Sequence, residues 1–135
     1  MIVTVDTNVL VSGVFFGGIP GKIVEAAREG AFTLVMSPPL LTELRTVFAR
    51  PKFGLDPDAV RLLTADMESS ATIVYPRKRH RVVTGDMDDG AVVDCAIESG
   101  SECIVSGDSH LTDMGVAEGI RVVTPRQFVD LLNLE

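Results

Sequence analysis

The chain has 135 residues, of which 46% are hydrophobic, and this length and composition suit one domain that buries its own core. No segment approaches the roughly 18 to 20 consecutive apolar residues of a membrane-spanning helix, and the first residues lack the basic region and cleavage site of a secretory signal, so we expect a cytoplasmic protein. The formal net charge of -7 argues against a surface that coats nucleic acid without specificity, because such surfaces are basic.

Strand-like and helix-like segments alternate along the chain. The predicted strands are Ile2 to Val5, Phe32 to Met36, Thr72 to Tyr75, Cys103 to Val105 and Ile120 to Val123. A first predicted helix contains Val9, Leu10, Val14, Phe15 and Phe16. The later predicted helices are Ile23 to Glu29, Leu40 to Ala49, Pro57 to Ser69, Ala91 to Glu98 and Pro125 to Leu132. Strands that are apolar on both faces are typical of a parallel sheet between helices. We therefore predict a three-layer α/β/α sandwich with a mostly parallel sheet of about five strands.

Helix-capping residues mark several of these boundaries. Ser37, Asp56 and Thr124 each precede a proline and are predicted helix N-caps, while Gly30 and Gly100 are predicted to end helices. The stretches 17–21 and 76–85 are predicted loops. Because no repeat, low-complexity tract or linker interrupts the pattern, residues 1–135 are predicted to form a single domain.

The two cysteines are predicted to be buried free thiols. Cys95 and Cys103 lie in apolar runs without CxxC spacing, and only His80 and His110 are available to complete a zinc site.

Four carboxylates are predicted to meet at one edge of the sheet. Asp6 ends the first strand and Asp108 ends the fourth, and the carboxyl ends of parallel strands lie at the same edge. Asp89 begins the helix that leads into the fourth strand, and Glu43 lies about one turn into the helix that follows the second strand. Any one of these acids by itself also fits a helix cap or a solvated surface charge.

Gathered carboxylates raise one another's pKa and cost stability unless a cation neutralises them. Hard oxygen ligands suit Mg²⁺ or Mn²⁺, so we predict one or two such ions. A metal-bound water and a polarised phosphate make phosphodiester hydrolysis the natural reaction. Thr7 and Asn8 offer hydrogen bonds that would orient Asp6.

The third acid has competitors. Asp86, Asp88 and Asp94 lie near Asp89, but Asp94 is five residues further along a helix and points away from the same face. We rank Asp89 first and Asp86 second.

With these motifs the chain resembles PIN-domain proteins of the branch that contains toxins of bacterial and archaeal toxin–antitoxin systems. The motif segments that carry the resemblance are Val3 to Leu10, Ser37 to Glu43, Asp86 to Asp89 and Val105 to Asp108. The resemblance implies a parallel sheet flanked by helices, metal-dependent cleavage of single-stranded RNA, and dimers. It further implies a catalytic and metal-binding set of Asp6, Glu43, Asp89 and Asp108. Candidate supporting residues are Asn8, Ser37, Asp86 and Ser106.

Implied partners are an RNA substrate, a cognate antitoxin and a second copy of the chain. A basic segment offers candidate contacts to the RNA backbone, with a solvated loop as the equal alternative; its residues are Arg77, Lys78, Arg79 and Arg81. The first helix is apolar on more than one side, which fits either a subunit interface or burial within the monomer.

Two other functions are weighed against the ribonuclease. A non-catalytic module of this fold would bind RNA or protein, and its acids would have no catalytic role. An aspartate-dependent phosphatase would use Asp6 as its nucleophile, but such enzymes have a second acid two residues later, and this chain has Asn8 there. A receiver domain, which is phosphorylated on an aspartate, has a lysine late in the chain, whereas no lysine follows Lys78.

Overall fold

The computed structural model describes residues 1–77 and 89–133, and the side chain of Asp89 lies outside that description. The described strands are β1 (Ile2–Val5), β2 (Thr33–Met36), β3 (Ala71–Ile73), β4 (Cys103–Val105), β5 (Val116–Ala117) and β6 (Ile120–Val123). The described α-helices are α1 (Thr7–Phe16), α2 (Gly18–Arg28), α3 (Pro38–Phe48), α4 (Pro57–Ser69), α5 (Asp89–Ser99), α6 (Ser109–Met114) and α7 (Pro125–Leu132). A short 3-10 helix, Pro51–Phe53, joins α3 to α4.

The strands form one sheet with the order β3-β2-β1-β4-β6-β5. Every neighbouring pair is parallel except β5 with β6. The chain moves outward from β1 through β2 to β3 and then returns to place β4 on the other side of β1. The strand order therefore reverses between β1 and β4, which is where open parallel sheets form their ligand crevice.

The predicted three-layer architecture is confirmed. Val3, Thr4 and Val5 in β1 are all fully buried, as are Ile104 and Val105 in β4. Because successive residues of a strand point to opposite faces, this burial requires cover on both sides of the sheet. The sheet has six strands where about five were expected, because β5 has only two residues and leaves no periodic signal.

The stretch 17–21 was predicted to be a loop, and this prediction is wrong. The helix α2 begins at Gly18, and the break from α1 is made by Gly17 and Gly18, whose φ angles are 70° and 63°. These left-handed angles are costly for other residues. They turn the chain through 102° between the two helices.

Most of the predicted caps are confirmed. The Asp56 carboxylate accepts a hydrogen bond from Ala59 N at 2.7 Å, and Thr124 forms a capping box with Gln127. Gly30 and Gly100, with φ angles of 76° and 68°, follow the ends of α2 and α5. Ser37 precedes α3 as predicted, but its hydroxyl does not cap that helix.

The predicted buried free thiols are confirmed, since Cys95 is fully buried and Cys103 is 3% exposed. Burial raises the pKa of the Cys95 thiol to about 11, with the hydroxyls of Thr4 and Ser37 acting in the opposite direction. Among the described helices, none alone has the length and apolar content to cross a membrane; α1 and α2 reach them only when taken together as a bent pair.

Candidate active site

Asp6 stands directly after β1 and is the N-cap of α1. Its backbone N–H donates to Val105 O at 2.8 Å, which ties the end of β1 to the end of β4. The side chain is only 7% exposed, although it carries a carboxylate. The Ser106 hydroxyl donates to Oδ2 of Asp6 at 3.0 Å, and the Asn8 backbone N–H approaches Oδ1 at 3.4 Å. The carboxylate is therefore held in a fixed orientation at the sheet edge.

Ser106 connects Asp6 to Asp108. Its hydroxyl oxygen, fully buried, also accepts a hydrogen bond from the Asp108 backbone N–H at 3.0 Å. The two contacts of 3.0 Å place Oδ2 of Asp6 within about 6 Å of the Asp108 nitrogen. Asp108 is the N-cap of α6, where its carboxylate accepts from His110 N at 2.9 Å. The Ser106 hydroxyl thus contacts the carboxylate of Asp6 and the backbone of Asp108, two residues about 100 positions apart in the chain.

The resemblance implied that Ser106 supports the site, but its hydrogen bond to Asp6 was not predicted. We expected Thr7 and Asn8, the neighbours of Asp6, to orient it through hydrogen bonds. Among the described residues, however, the buried Thr7 hydroxyl has no hydrogen-bond partner, and Asn8 contributes its backbone rather than its side chain. Asp6 and Ser106 follow paired strands, and this pairing makes the contact between them available. That the fourth predicted strand would lie beside the first was the missing information.

Glu43 lies on α3 and is half-buried. It follows Leu40 by three residues and precedes Val47 by four, which places it at the flank of the buried helix face. Asp94, on α5, is also half-buried. Within residues 1–77 and 90–133, the side chains of His, Cys, Asp and Glu form no group of three or more that would hold a metal ion. The four-acid set remains a prediction in which Asp6 and Asp108 are the pair that the described structure brings together.

Several predicted residues fall outside the described part of the chain. Of the basic segment only Arg77 is described; it is 89% exposed, and its Nε lies 3.8 Å from Glu98 Oε1. Asp89 begins α5 as predicted. Ser37 follows β2, and its hydroxyl is buried near the Cys95 thiol. The residues whose placement is not described are Lys78, Arg79, His80, Arg81, Asp86 and Asp88.

A cavity of about 360 Å³ opens beside Asp108. A larger one, of about 550 Å³, lies along α1 and α2, and none of the predicted site residues lines it. The smaller cavity adjoins the candidate site, because Asp108 and Asn8 are among the residues that line it.

The donor atoms at the junction of β1 and β4 fit a hard divalent cation. The Asp6 carboxylate and the Ser106 hydroxyl supply oxygen atoms there, the Asp108 carboxylate lies at the start of the helix that follows, and Mg²⁺ and Mn²⁺ prefer oxygen ligands. Ligands of open parallel sheets bind in the crevice beyond the carboxyl ends of the strands. A metal ion held there would therefore contact a bound ligand.

The fold and the paired acids define an α/β domain whose candidate site lies where the strand order reverses. Residues 2–110 match the PIN domain family, and the chain belongs to this family. PIN domains are in general nucleases. The chain is also similar to the uncharacterized protein MJ1680 of Methanocaldococcus jannaschii, with 29% identity over 141 residues that cover 95% of this chain and 89% of that protein.

Proposed function

We propose that the protein is a metal-dependent endoribonuclease that hydrolyses phosphodiester bonds of single-stranded RNA. The proposed catalytic and metal-binding acids are Asp6, Glu43, Asp89 and Asp108. The observation that carries the proposal is the buried carboxylate of Asp6, joined to Asp108 through Ser106 where the strand order reverses. Buried charges in proteins are paired and hydrogen-bonded or coordinate a metal ion, and the second arrangement fits an acid at a ligand crevice.

Hydrogen bonds restrict the side chains of both Asp6 and Asp108. Ser106 holds the carboxylate of Asp6, while the first turn of α6 holds that of Asp108. Fixed ligands of this kind lose little conformational freedom when they bind an ion, which strengthens binding. Bound to these acids, Mg²⁺ or Mn²⁺ would activate a water molecule and stabilise negative charge on the phosphate and the departing oxygen.

Arg77 and its basic neighbours at positions 78, 79 and 81 are the proposed contacts to the RNA backbone. The exposed guanidinium of Arg77 makes only a 3.8 Å contact with Glu98, which is a weak ion pair on a solvated surface. It is available to bind a phosphate. Affinity for RNA is then expected to fall as the salt concentration rises.

The finer parts of the proposal follow from the resemblance to toxins. A cognate antitoxin would neutralise the acidic site with a basic side chain, and two copies of the chain would associate. Phe16, at the end of α1, is 76% exposed and is an apolar side chain that a second subunit would cover. Growth arrest on expression, relieved by the product of an adjacent short reading frame, would support the antitoxin.

The first experiment is cleavage of a labelled RNA oligonucleotide with Mn²⁺, with Mg²⁺ and with excess chelator. We expect cleavage with either metal and none with chelator. Asp6→Asn and Asp108→Asn should each lower kcat by at least about 100-fold while leaving the fold intact, because asparagine is also a good N-cap. Asp113→Asn is the matched control, since this acid is exposed on α6 and is outside the proposed set.

Binding of Mn²⁺ supplies a readout that is independent of activity. A site present only in the folded protein adds about 2.7 kcal/mol of stability when the free ion is at 100 times its Kd. The gain should appear in the parent and in Asp113→Asn and should be lost in Asp6→Asn. Cleavage by folded Asp6→Asn at the parent rate would refute the assignment. A parent that binds RNA without cleaving it, and gains no stability from Mn²⁺, would instead be a non-catalytic module.

A further inference from the structure

The 360 Å³ cavity beside the acidic pair is formed by residues from distant parts of the chain. Its volume falls at the lower end of the range of about 300–1,000 Å³ that is usual for small-ligand sites. Its lining residues are Asn8, Val9 and Ser12 from α1, Pro20 from α2, Gly107 and Asp108 after β4, and Pro125 at the start of α7.

The lining offers no basic group to a phosphate. None of the seven described lining residues is basic, and the one charged group among them, the carboxylate of Asp108, belongs to the proposed metal-binding set. An uncharged part of the substrate is therefore the better occupant. In an RNA chain the uncharged part is the nucleoside that links two phosphates.

The polar and apolar groups of the lining suit a nucleoside. Asn8 and Ser12 are four residues apart on α1, so they lie on the same helix face with a rise of about 6 Å between them. Both side chains donate and accept hydrogen bonds, as a ribose hydroxyl and a base edge do. Val9 and the rings of Pro20 and Pro125 supply apolar surface.

The position of the cavity relates it to the scissile bond. The backbone of Asn8 bonds the Asp6 carboxylate, whereas Ser12 lies one helical turn further from that carboxylate. A phosphate held at the acids would thus place the adjoining sugar toward Ser12. We propose that this cavity binds the nucleoside next to the scissile phosphate and that Ser12 contacts its ribose 2′-hydroxyl. This contact would select RNA over DNA, and the inference rests on the proposed ribonuclease function.

The test compares an RNA oligonucleotide with matched oligonucleotides that carry a single 2′-deoxy nucleotide on either side of the cleaved bond. Each is cleaved by the parent, by Ser12→Ala and by Ser69→Ala, an exposed serine on α4 that serves as the control. One lost uncharged hydrogen bond corresponds to about three- to tenfold in kcat/KM. We expect the parent and Ser69→Ala to discriminate by this factor at one of the two positions. Ser12→Ala should cleave the all-ribose substrate as slowly as the parent cleaves the deoxy one, and should no longer discriminate.

The outcomes separate this inference from the proposed function. If the parent cleaves RNA and Ser12→Ala discriminates as strongly as the parent, the inference is overturned while the ribonuclease assignment stands. If the parent cleaves no RNA, the proposed function fails, and the cavity is tested by amide chemical shifts on titration with uridine and with inorganic phosphate. Shifts at Ser12 and Gly107 with uridine alone would support nucleoside binding; shifts with phosphate, or none with either, would overturn it.

Discussion

The crossing of α1 and α2 depends on the absence of a side chain at Gly13. A Cβ atom added there would lie 2.5 Å from Val24 Cγ2, 2.6 Å from Pro20 O and 2.9 Å from Pro20 C. These distances are well inside van der Waals contact. Because two of the three atoms belong to the backbone, a rotamer change cannot relieve the overlap, and α2 has to move away from α1.

We expect Gly13→Ala to destabilise the protein despite its better helix propensity. Overpacking of this kind costs about 1–3 kcal/mol, and backbone overlap puts Gly13 at the upper end. Alanine recovers about 1 kcal/mol as a helix former. The net loss in the free energy of unfolding is therefore about 2 kcal/mol. With a urea m-value of about 2 kcal/mol/M, the midpoint of unfolding should fall by about 1 M.

Gly21 provides the matched control because it is also a helical glycine. A Cβ atom at Gly21 would lie 3.6 Å from Gly13 O, which is an ordinary contact. Gly21→Ala should be neutral or stabilising by up to about 1 kcal/mol. Urea unfolding followed by circular dichroism measures both variants. A Gly13→Ala protein as stable as Gly21→Ala would refute the close crossing, and with it the position of Pro20 at the 360 Å³ cavity.

Two further predictions concern the hydroxyl between the acids and the buried thiol. Ser106→Ala should lower Mn²⁺ affinity and activity by about 10–100-fold, because it removes the hydroxyl that donates to Oδ2 of Asp6. Ser106→Thr keeps a hydroxyl and should keep most of both. Asp56→Ala removes a remote helix cap at a cost of about 1 kcal/mol and controls for lost stability alone. Since burial raises the pKa of Cys95 from 9.0 to about 11, the thiol stabilises the folded state fully below pH 9, and the free energy of unfolding should fall as the pH rises from 9 through 11. In Cys95→Ala the decrease in the free energy of unfolding between pH 9 and 11 should be smaller by up to about 3 kcal/mol. An unchanged pH dependence would contradict the raised pKa of Cys95.

The bounds of β1, β4 and β6 agree with the predictions. Nearly all residues of β1 and β4 are buried, and consecutive apolar residues in a short run are typical of a strand covered on both faces. β6 is less buried because Arg121 is exposed, and its β-branched residues carry the prediction. β3 is found at Ala71–Ile73 rather than at Thr72 to Tyr75. It is partly exposed, so its hydrophobic pattern marks its end poorly.

Tertiary contacts decided the segments that were missed. The glycines and proline at 17–21 favour a loop locally, but α2 packs against α1 at Gly13, and Pro20 is tolerated in a first helical turn. Packing outweighs weak local preference here. The six residues of α6 begin at the cap that Asp108 provides, and such a short helix has little periodicity to detect.

The candidate site could be predicted in part for the same physical reason. Asp6 and Asp108 are each the first acid after a strand, so a parallel sheet brings them to one edge whatever its strand order. Their direct link through Ser106 requires that β1 and β4 be neighbours, which the order of elements along the chain does not specify. The residues that line the cavity could not be predicted from the sequence. Ser12, Pro20 and Pro125 come from three helices, and their approach depends on the whole fold.

This dependence on neighbouring strands couples the site to the stability of the sheet. Asp6 and Asp108 have their fixed geometry only while β1 and β4 are paired, because the hydroxyl between them follows β4. An unfolded chain separates the two acids by about 100 residues and offers a cation no paired site. The proposed metal ion would therefore bind only the folded state, and it would also stabilise the junction at which the strand order reverses.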